Sequence, residues 1–295
     1  THNSDFHADD AFAVATLQIY LDKLGDTYRV IRSRDPEIIA QGDYVVDVGT
    51  VYDEDENRFD HHQNTFTETG YLDIPYSSFG LVWKHFGGEV CENDKVWEKI
   101  RNNFVTIVDA NDNGITTAEA TIKGLEVLDP ETFIFSYRPL FSERTDENLY
   151  KGFLEAVAFA KGFLLRYIKR ETDKESMRGE FEKVLKSKKN TWRGDSVTAL
   201  VLPKPFPWKD FVQDSFYENY DFVIMERENG DWMATCVPIK KDDMKVKMVK
   251  KSWAGLTGEE LSTKAGVKDL IFYHKTGYIL VAKSKDKILQ ALEKF

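Results

Sequence analysis

The chain has 295 residues, which suits one large domain or two smaller ones, and its longest apolar stretches, such as residues 198–203, are far too short to cross a bilayer. Its net charge of −10 argues against a broad nucleic-acid-binding surface, because such surfaces rely on basic residues that neutralise phosphates. The two cysteines, Cys91 and Cys236, are too few and too far apart for a disulfide framework or a thiolate metal site.

Helical and strand-like patterns alternate over the first half of the chain. Apolar residues at helical spacing, with suitable start and stop residues, predict helices over residues 11–24, 36–42, 77–86 and 95–109. Gly87-Gly88 is expected to end the third of them. Residues 28–32 and 44–48 have the pattern of strands. Such alternation is typical of an α/β domain with a mostly parallel sheet flanked by helices, where ligands bind at the carboxyl ends of the strands.

The second half begins with a helical segment over residues 146–186, whose charged last part is typical of a connecting helix. Beyond it the pattern changes to strands, so we place the domain boundary between residues 187 and 188. Residues 1–187 then form the N-terminal domain with its connecting helix, and residues 188–295 form a smaller α/β domain. Strands, a hairpin turn at Asn229-Gly230 and a final helix are predicted there. The strands lie over 196–202, 220–227, 232–239, 270–273 and 278–282, and the helix over 285–295.

Histidines and aspartates in the N-terminal domain predict a divalent metal site. Four of the 6 histidines lie in the first 62 residues, in short segments that also contain aspartate. Imidazole and carboxylate ligands without cysteine suit manganese, zinc or iron(II), and paired metals of this kind usually hydrolyse phosphate esters or anhydrides. The predicted ligands are His2, His7, Asp9, Asp47, His61 and Asp109.

Each of these segments has a simpler explanation when it is taken alone. Asp9 and Asp10 could be acids that favour the first turn of a helix, and residues 60–62 could be a polar loop. Asp112 could support the metal ligands, or belong to a turn with the Asn-Gly pair that follows it. An acid at a helix end opposes the helix dipole, so Asp109 favours a functional role.

The six ligands together are enough for two metal ions. Asp47 is the natural bridging carboxylate, because it alone is expected at the centre of the sheet. Two metals about 3.5–4 Å apart would hold a bridging hydroxide as the nucleophile and clamp the phosphoryl oxygens. His62 would lie beside the metals and contact the bridging oxygen or the substrate, and Asp60 would fix the tautomer of a histidine. We therefore assign His62 and Asp60 to catalysis.

The order of these motifs resembles the DHH phosphoesterase superfamily, which includes RecJ-type exonucleases, nanoRNases, family II inorganic pyrophosphatases and cyclic-dinucleotide phosphodiesterases. That superfamily usually opens with an Asp-x-Asp motif, where this chain has His7 and Asp9. A closer resemblance, over essentially the whole chain, is to the Myg family, named for the melanocyte-proliferating-gene protein. It rests on residues 1–3, 6–11, 34–36, 46–49, 59–63, 66–69, 108–115, 253–256 and 272–278.

This resemblance implies a DHH-type catalytic domain, a smaller substrate-binding domain and 3′-to-5′ exonuclease activity on RNA. It also implies two divalent metal ions, with manganese as the usual metal and Mg²⁺, Zn²⁺ or Fe²⁺ as alternatives. The implied ligands are His2, His7 and Asp47 for one metal, and Asp9, Asp47, His61 and Asp109 for the other. The superfamily's smaller domain binds substrate through a glycine-rich motif with a histidine, whereas residues 274–278 contain one glycine.

Three further residues are predicted to contact the substrate. Arg34 follows a predicted strand and could bind a phosphate, or pair with a neighbouring aspartate instead. His274 and Lys275 are the candidates in the smaller domain. Trp253 could stack on a nucleobase, but a place in the core is the expectation for a chain with 6 tryptophans and 20 phenylalanines.

The sequence therefore predicts a metal-dependent phosphodiesterase that shortens RNA or short oligonucleotides from an end, and RNA or an oligonucleotide is its expected partner. One alternative is a hydrolase of a small phosphate compound, such as pyrophosphate, a nucleotide or a cyclic dinucleotide. Another is a non-catalytic binding protein stabilised by metal. No membrane partner is expected, and the sequence allows either a monomer or a homo-oligomer. A bacterial protein of this kind is expected in the cytoplasm, but a strand is expected to precede Thr1, which leaves an organellar targeting segment open.

Overall fold

The computed structural model describes residues 1–241, 243 and 245–295 of a mixed α/β protein, with helices and two mixed sheets. The chain divides into two compact units, Thr1–Glu175 and Ser176–Phe295. The long helix predicted over residues 146–186 is present as a single element with those bounds, so the division between the units falls within it. None of the helices in the described residues combines the length and the apolar character needed to span a membrane.

The N-terminal unit has short strands and helices of very different lengths. They are α1 (Ala8–Leu24), α2 (Pro36–Ile39), β1 (Val45–Val46), β2 (Tyr52–Asp53), β3 (Arg58–Phe59), α3 (Ser78–Cys91), α4 (Asp94–Ile100), α5 (Thr106–Asp112), α6 (Pro130–Phe135) and the first part of α7 (Asp146–Lys186). Strand β3 lies between the other two, parallel to β1 and antiparallel to β2. The sheet is therefore mixed, and the mostly parallel sheet predicted from the sequence is wrong.

The predicted strand over residues 28–32 is also wrong, because no neighbouring strand forms a regular set of backbone hydrogen bonds with it in the described residues. Its described hydrogen bonds to another extended segment involve Thr1 alone. The Thr1 ammonium group donates to the Ile31 carbonyl at 3.0 Å, and the Ser33 N–H donates to the Thr1 carbonyl at 2.8 Å. Two bonds around one residue hold the segment in place without forming a ladder.

Helix α1 is the centre of the N-terminal core, and every residue from 8 to 17 is buried. Its Phe12 ring packs against the rings of Phe79, Phe104 and Phe163, with centroids 4.9–6.0 Å apart. Burial of such a ring contributes about 1.5–3 kcal/mol. The helix starts three residues before the prediction, since Asp10 accepts the His7 N–H at 2.9 Å and caps the first turn. The start of α1, which carries Asp9, is thus firmly anchored.

Helix α3 continues through Gly87-Gly88 to Cys91, so the predicted end at these glycines is wrong. A Cβ on Gly87 would lie 2.8 Å from the Trp97 side chain and 2.9 Å from that of Trp83. The glycine therefore lets α4 approach α3 closely. Glycine lowers the stability of a helix, but a larger residue here would clash with the two tryptophans.

The predicted helix over residues 95–109 is present, but it contains a π turn. Residues Arg101–Val105 form this turn between α4 and α5, and the Thr106 N–H donates to the Arg101 carbonyl five residues earlier. A π turn holds one residue more than an α turn, so it changes which side chains of α5 face the neighbouring helices α1 and α3.

The C-terminal unit is built on a six-stranded mixed sheet. Its elements are β4 (Thr191–Arg193), β5 (Thr198–Val201), α8 (Asp214–Asn219), β6 (Phe222–Glu226), β7 (Trp232–Cys236), α9 (Gly258–Ala265), β8 (Leu270–Tyr273), β9 (Ile279–Ala282) and α10 (Lys285–Leu292), with strand order β4-β5-β6-β7-β9-β8. The predicted strands and the Asn229-Gly230 hairpin are confirmed, while β4, α8 and α9 had no clear sequence signal. Trp253 packs against Tyr273 and Phe295 and is 3% exposed, which confirms its place in the core.

Candidate metal centre

His2, His7 and Asp47 come together from three segments, with ligand atoms within 4.8 Å of one another. His2 is buried, and its Nδ1–H donates to the Asn3 carbonyl at 2.8 Å. Its Nε2 lies 3.1 Å from Asp47 Oδ2 and 3.3 Å from Asp10 Oδ2. A histidine fixed through Nδ1 in this way presents Nε2 as the ligand atom.

Asp47 follows β1 and lies between two groups of histidines. Its backbone has a φ of 56°, in the left-handed region, and its N–H donates to the Phe59 carbonyl at 3.1 Å. Ser78 Oγ donates to Asp47 Oδ1 at 3.2 Å, and the same oxygen lies 3.6 Å from His61 Nε2 and 3.5 Å from His62 Nδ1. Asp47 also forms a second set of possible ligands with His61 and His62. One carboxylate thus belongs to two potential metal sites.

A third set of ligand atoms comes from Asp9, His61 and Asp112. His61 Nε2 lies 3.3 Å from Asp112 Oδ2 and 3.9 Å from Asp9 Oδ2. Both oxygens of Asp9, which is 1% exposed, are buried without a hydrogen-bond partner. Asp9 and His61 were predicted as ligands, whereas Asp112 was predicted only to support them.

Asp109 occupies a different position from the other predicted ligands. Its Oδ1 accepts the Ser77 N–H at 3.0 Å and the Ser77 hydroxyl at 2.7 Å. A Cβ on Gly80 would lie 2.4 Å from this oxygen, so the carboxylate fits tightly against the start of α3. Burial raises the Asp109 pKa to about 7, although the Ser77 hydrogen bonds oppose this. Among the described residues, the possible ligand sets contain Asp112 but not Asp109.

Asp60 holds His62 beside the ligand sets. Asp60 Oδ1 accepts the His62 N–H at 3.0 Å and Nδ1–H at 2.7 Å, and Oδ2 accepts the Thr50 N–H at 2.6 Å. Burial raises the Asp60 pKa, but these hydrogen bonds lower it overall, and the Asp60 carboxylate in turn raises the His62 pKa. The His62 side chain is 58% exposed, so an oriented imidazole faces solvent next to Asp47.

The electrostatics of these residues fit a bound divalent cation. The described residues leave both carboxylate oxygens of Asp9 buried without a hydrogen-bond partner. Burial, followed by repulsion from Asp47 and Asp112, raises the Asp9 pKa well above its usual value. Buried carboxylates are normally paired or bound to a metal, so a cation at this place would supply the missing charge.

A cavity of about 500 Å³ opens onto the ligand sets. Its lining comprises His2, His7, Arg34, Asp47, Val48, Gly49, Thr50, Asp60, His62, Asn111, Asp112 and Glu131. Arg34, which was predicted to contact the substrate, is one of these lining residues. Glu131 was not predicted, because it belongs to no recognisable motif. Glu131 Oε2 accepts the Ala8 N–H at 2.6 Å, at the start of α1. His274 and Lys275 lie in the other unit, in the turn between β8 and β9.

Metal binding should release protons, and its affinity should rise with pH. Burial lowers the His2 pKa, but Asp10 and Asp47 raise it overall to about 9, so at neutral pH the metal-free His2 carries a proton that must leave before Nε2 binds a cation. One released proton makes the apparent Mn²⁺ affinity rise about tenfold per pH unit between pH 6 and 8. Calorimetry in two buffers of different ionisation enthalpy counts the protons, and His2→Gln is the control. Equal heats in both buffers would contradict this expectation.

Comparisons with known proteins find similarity over nearly the whole chain. The family model MYG1_exonuc, described as Uncharacterised protein family (UPF0160), matches residues 1–294. The MYG1 protein YER156C of Saccharomyces cerevisiae is 31% identical over 98% of this chain and 93% of its own length. The MYG1 protein of Dictyostelium discoideum is 30% identical, with the same coverage. The MYG1 exonuclease of Rattus norvegicus is 31% identical over 95% of this chain and 79% of its own length. No solved structure matches the chain significantly.

Proposed function

Because the chain belongs to the MYG1 exonuclease family, we propose that it is a metal-dependent phosphodiesterase that shortens RNA or short oligonucleotides from the 3′ end. The observation that carries the proposal is the position of Asp47 between two groups of imidazoles, next to the unpartnered carboxylate of Asp9. The name exonuclease of several relatives supports the reaction class. The same arrangement supports placing the chain in the DHH phosphoesterase superfamily.

Two divalent cations, with manganese as the expected metal, would be held by residues of these ligand sets, with Asp47 shared between them. His2, His7 and Asp47 would bind one cation, and Asp9, Asp47, His61 and Asp112 the other. When bound, the cations would activate water as the nucleophile and offset the charge that develops on the phosphoryl oxygens. This assignment replaces Asp109 with Asp112, on the distances given above.

The remaining residues of the cavity would handle the substrate and its protons. Arg34 lines the cavity and supplies a permanent positive charge for a phosphate. Asp60 holds the proton on His62 Nδ1, which leaves Nε2 to exchange a proton with the substrate. The raised His62 pKa favours the protonated form and so suits donation to the leaving oxygen. His274 and Lys275 stay predicted contacts of the C-terminal unit with substrate.

The size of the cavity supports action at a strand end. About 500 Å³ is typical of small-molecule sites and holds a terminal nucleotide rather than a duplex. The net charge of −10 points the same way, since a broad phosphate-binding surface would need excess basic residues. The same volume suits a small phosphate compound, so hydrolysis of pyrophosphate or a nucleotide is the second candidate.

The test is hydrolysis of a short single-stranded RNA labelled at its 5′ end. We expect stepwise shortening in Mn²⁺ that stops when a chelator is added, and slow cleavage of a matched RNA blocked by a 3′ phosphate. Pyrophosphate and free nucleotides are offered in parallel. Release of phosphate from these compounds with no shortening of RNA would contradict the exonuclease proposal and favour the second candidate.

A further inference from the structure

One face of α6 carries both a residue that lines the cavity and an aromatic residue close to it. Glu131 in its first turn lines the cavity, and Phe135 follows four residues later, at the end of the helix. Residues four apart lie on the same face of a helix, with Cβ atoms about 5–6 Å apart. The Phe135 ring lies 6.0 Å from the ring of His7, which also lines the cavity. Phe135 therefore lies beside His7, a proposed metal ligand at the cavity.

The Phe135 ring is exposed and packs against the side chain of an arginine. The Arg138 guanidinium lies 3.4 Å from the ring centre, and Arg138 Nε donates to the Phe6 carbonyl at 3.1 Å. The ring is nevertheless 37% exposed. An arginine fixed against an aromatic ring orients it and adds cation–π attraction, so Phe135 is a preorganised surface rather than a loose side chain.

We propose that Phe135, backed by Arg138, stacks on the base of the nucleotide whose phosphate occupies the cavity. The inference rests on the proposed function and specifies its substrate as a single strand with a base at the reacting end. Exposed aromatic rings bind single-stranded nucleic acid because every base offers a flat face, so this contact is tolerant of sequence. A compound without a base, such as pyrophosphate, gains nothing from it.

Binding tests the stacking directly. The probe is a short RNA with 2-aminopurine as its 3′-terminal base, whose fluorescence falls when it stacks, followed by stopped flow in Mg²⁺ before cleavage. We expect quenching with the intact protein, none with Phe135→Ala, and recovery with Phe135→Trp. The alanine variant should bind about 5- to 150-fold more weakly. Phe133→Ala is the matched control, since Phe133 is 49% exposed on the same helix but points along another face.

Hydrolysis separates this inference from the proposed function. With Mn²⁺, Phe135→Ala should raise KM for a normal RNA to the value for an RNA with an abasic 3′ end, and should leave the abasic RNA unchanged. Quenching that depends on Phe135 without any hydrolysis would overturn the proposed function but keep the stacking contact. Equal quenching by the intact protein and Phe135→Ala, equal losses in Phe133→Ala and Phe135→Ala, or no RNA binding by the intact protein would overturn the stacking contact.

Discussion

Replacing Asp47 with asparagine should lower kcat/KM for RNA hydrolysis on the order of 1,000-fold and leave the protein folded. Asp47 is the carboxylate shared by two ligand sets, so its loss should weaken both proposed metal positions. Metal stabilisation of the reacting phosphoryl group contributes several kcal/mol, and about 4 kcal/mol corresponds to about 1,000-fold in rate. Asparagine has the same shape and accepts the left-handed backbone, which separates loss of charge from loss of structure.

The measurement is steady-state hydrolysis with metal held in excess, together with thermal unfolding of the variant. Asp43→Asn is the matched control, because it makes the same change two residues before β1 at an exposed position. It should retain full activity. An Asp47→Asn protein that cleaves RNA within tenfold of the intact protein would show that the reaction does not depend on this carboxylate.

Asp112→Ala should abolish tight Mn²⁺ binding, while Asp109→Ala should mainly destabilise the fold. Loss of a partner outside the ligands typically costs 10- to 100-fold in metal affinity, so loss of a proposed ligand should cost at least about 100-fold. Asp109→Ala removes the acceptor of two Ser77 hydrogen bonds at a buried position, which should lower the free energy of unfolding by about 1–3 kcal/mol.

Calorimetric Mn²⁺ titration and denaturant unfolding of the metal-free proteins distinguish these two effects. The aspartates lie three residues apart in α5, so each variant is the control for the other. If Asp109→Ala stays as stable as the intact protein and loses metal affinity, the ligand predicted from the sequence is the right one and the geometric assignment is wrong.

Elements with strong local signals could be predicted from the sequence, whereas their pairing could not. Helix α7 has the predicted bounds, because apolar residues at helical spacing over many turns give a strong helix signal. The segment over residues 28–32 has strand-forming residues but hydrogen-bonds to Thr1 alone among the described extended segments. Gly87 looks like a helix end, yet the closeness of Trp83 and Trp97 gives it another role that only the packing reveals.

For the candidate site, too, residues in short motifs could be predicted, whereas those that depend on the packing of helices could not. His2, His7, Asp9, Asp47 and His61 were predicted because each lies in a short motif, and the structure brings them together. The choice between Asp109 and Asp112 could not be made from helical spacing, since the π turn at Arg101–Val105 changes the rotation of all that follows. Glu131 and Phe135 come from α6, which follows a segment without periodicity, so no pattern links them to the site.

The backbone at Asp47 also limits how this site can change during evolution. A φ of 56° strongly favours glycine, asparagine and aspartate, whereas two ligand sets require a carboxylate. Glycine and asparagine keep the shape of the loop and lose the charge, and glutamate keeps the charge but is poorly suited to the backbone. Aspartate alone meets both demands well. A substitution of Asp47 therefore changes either the shape of the loop or the negative charge available to the metal ions. Either change is expected to affect the reaction, so one substitution is enough.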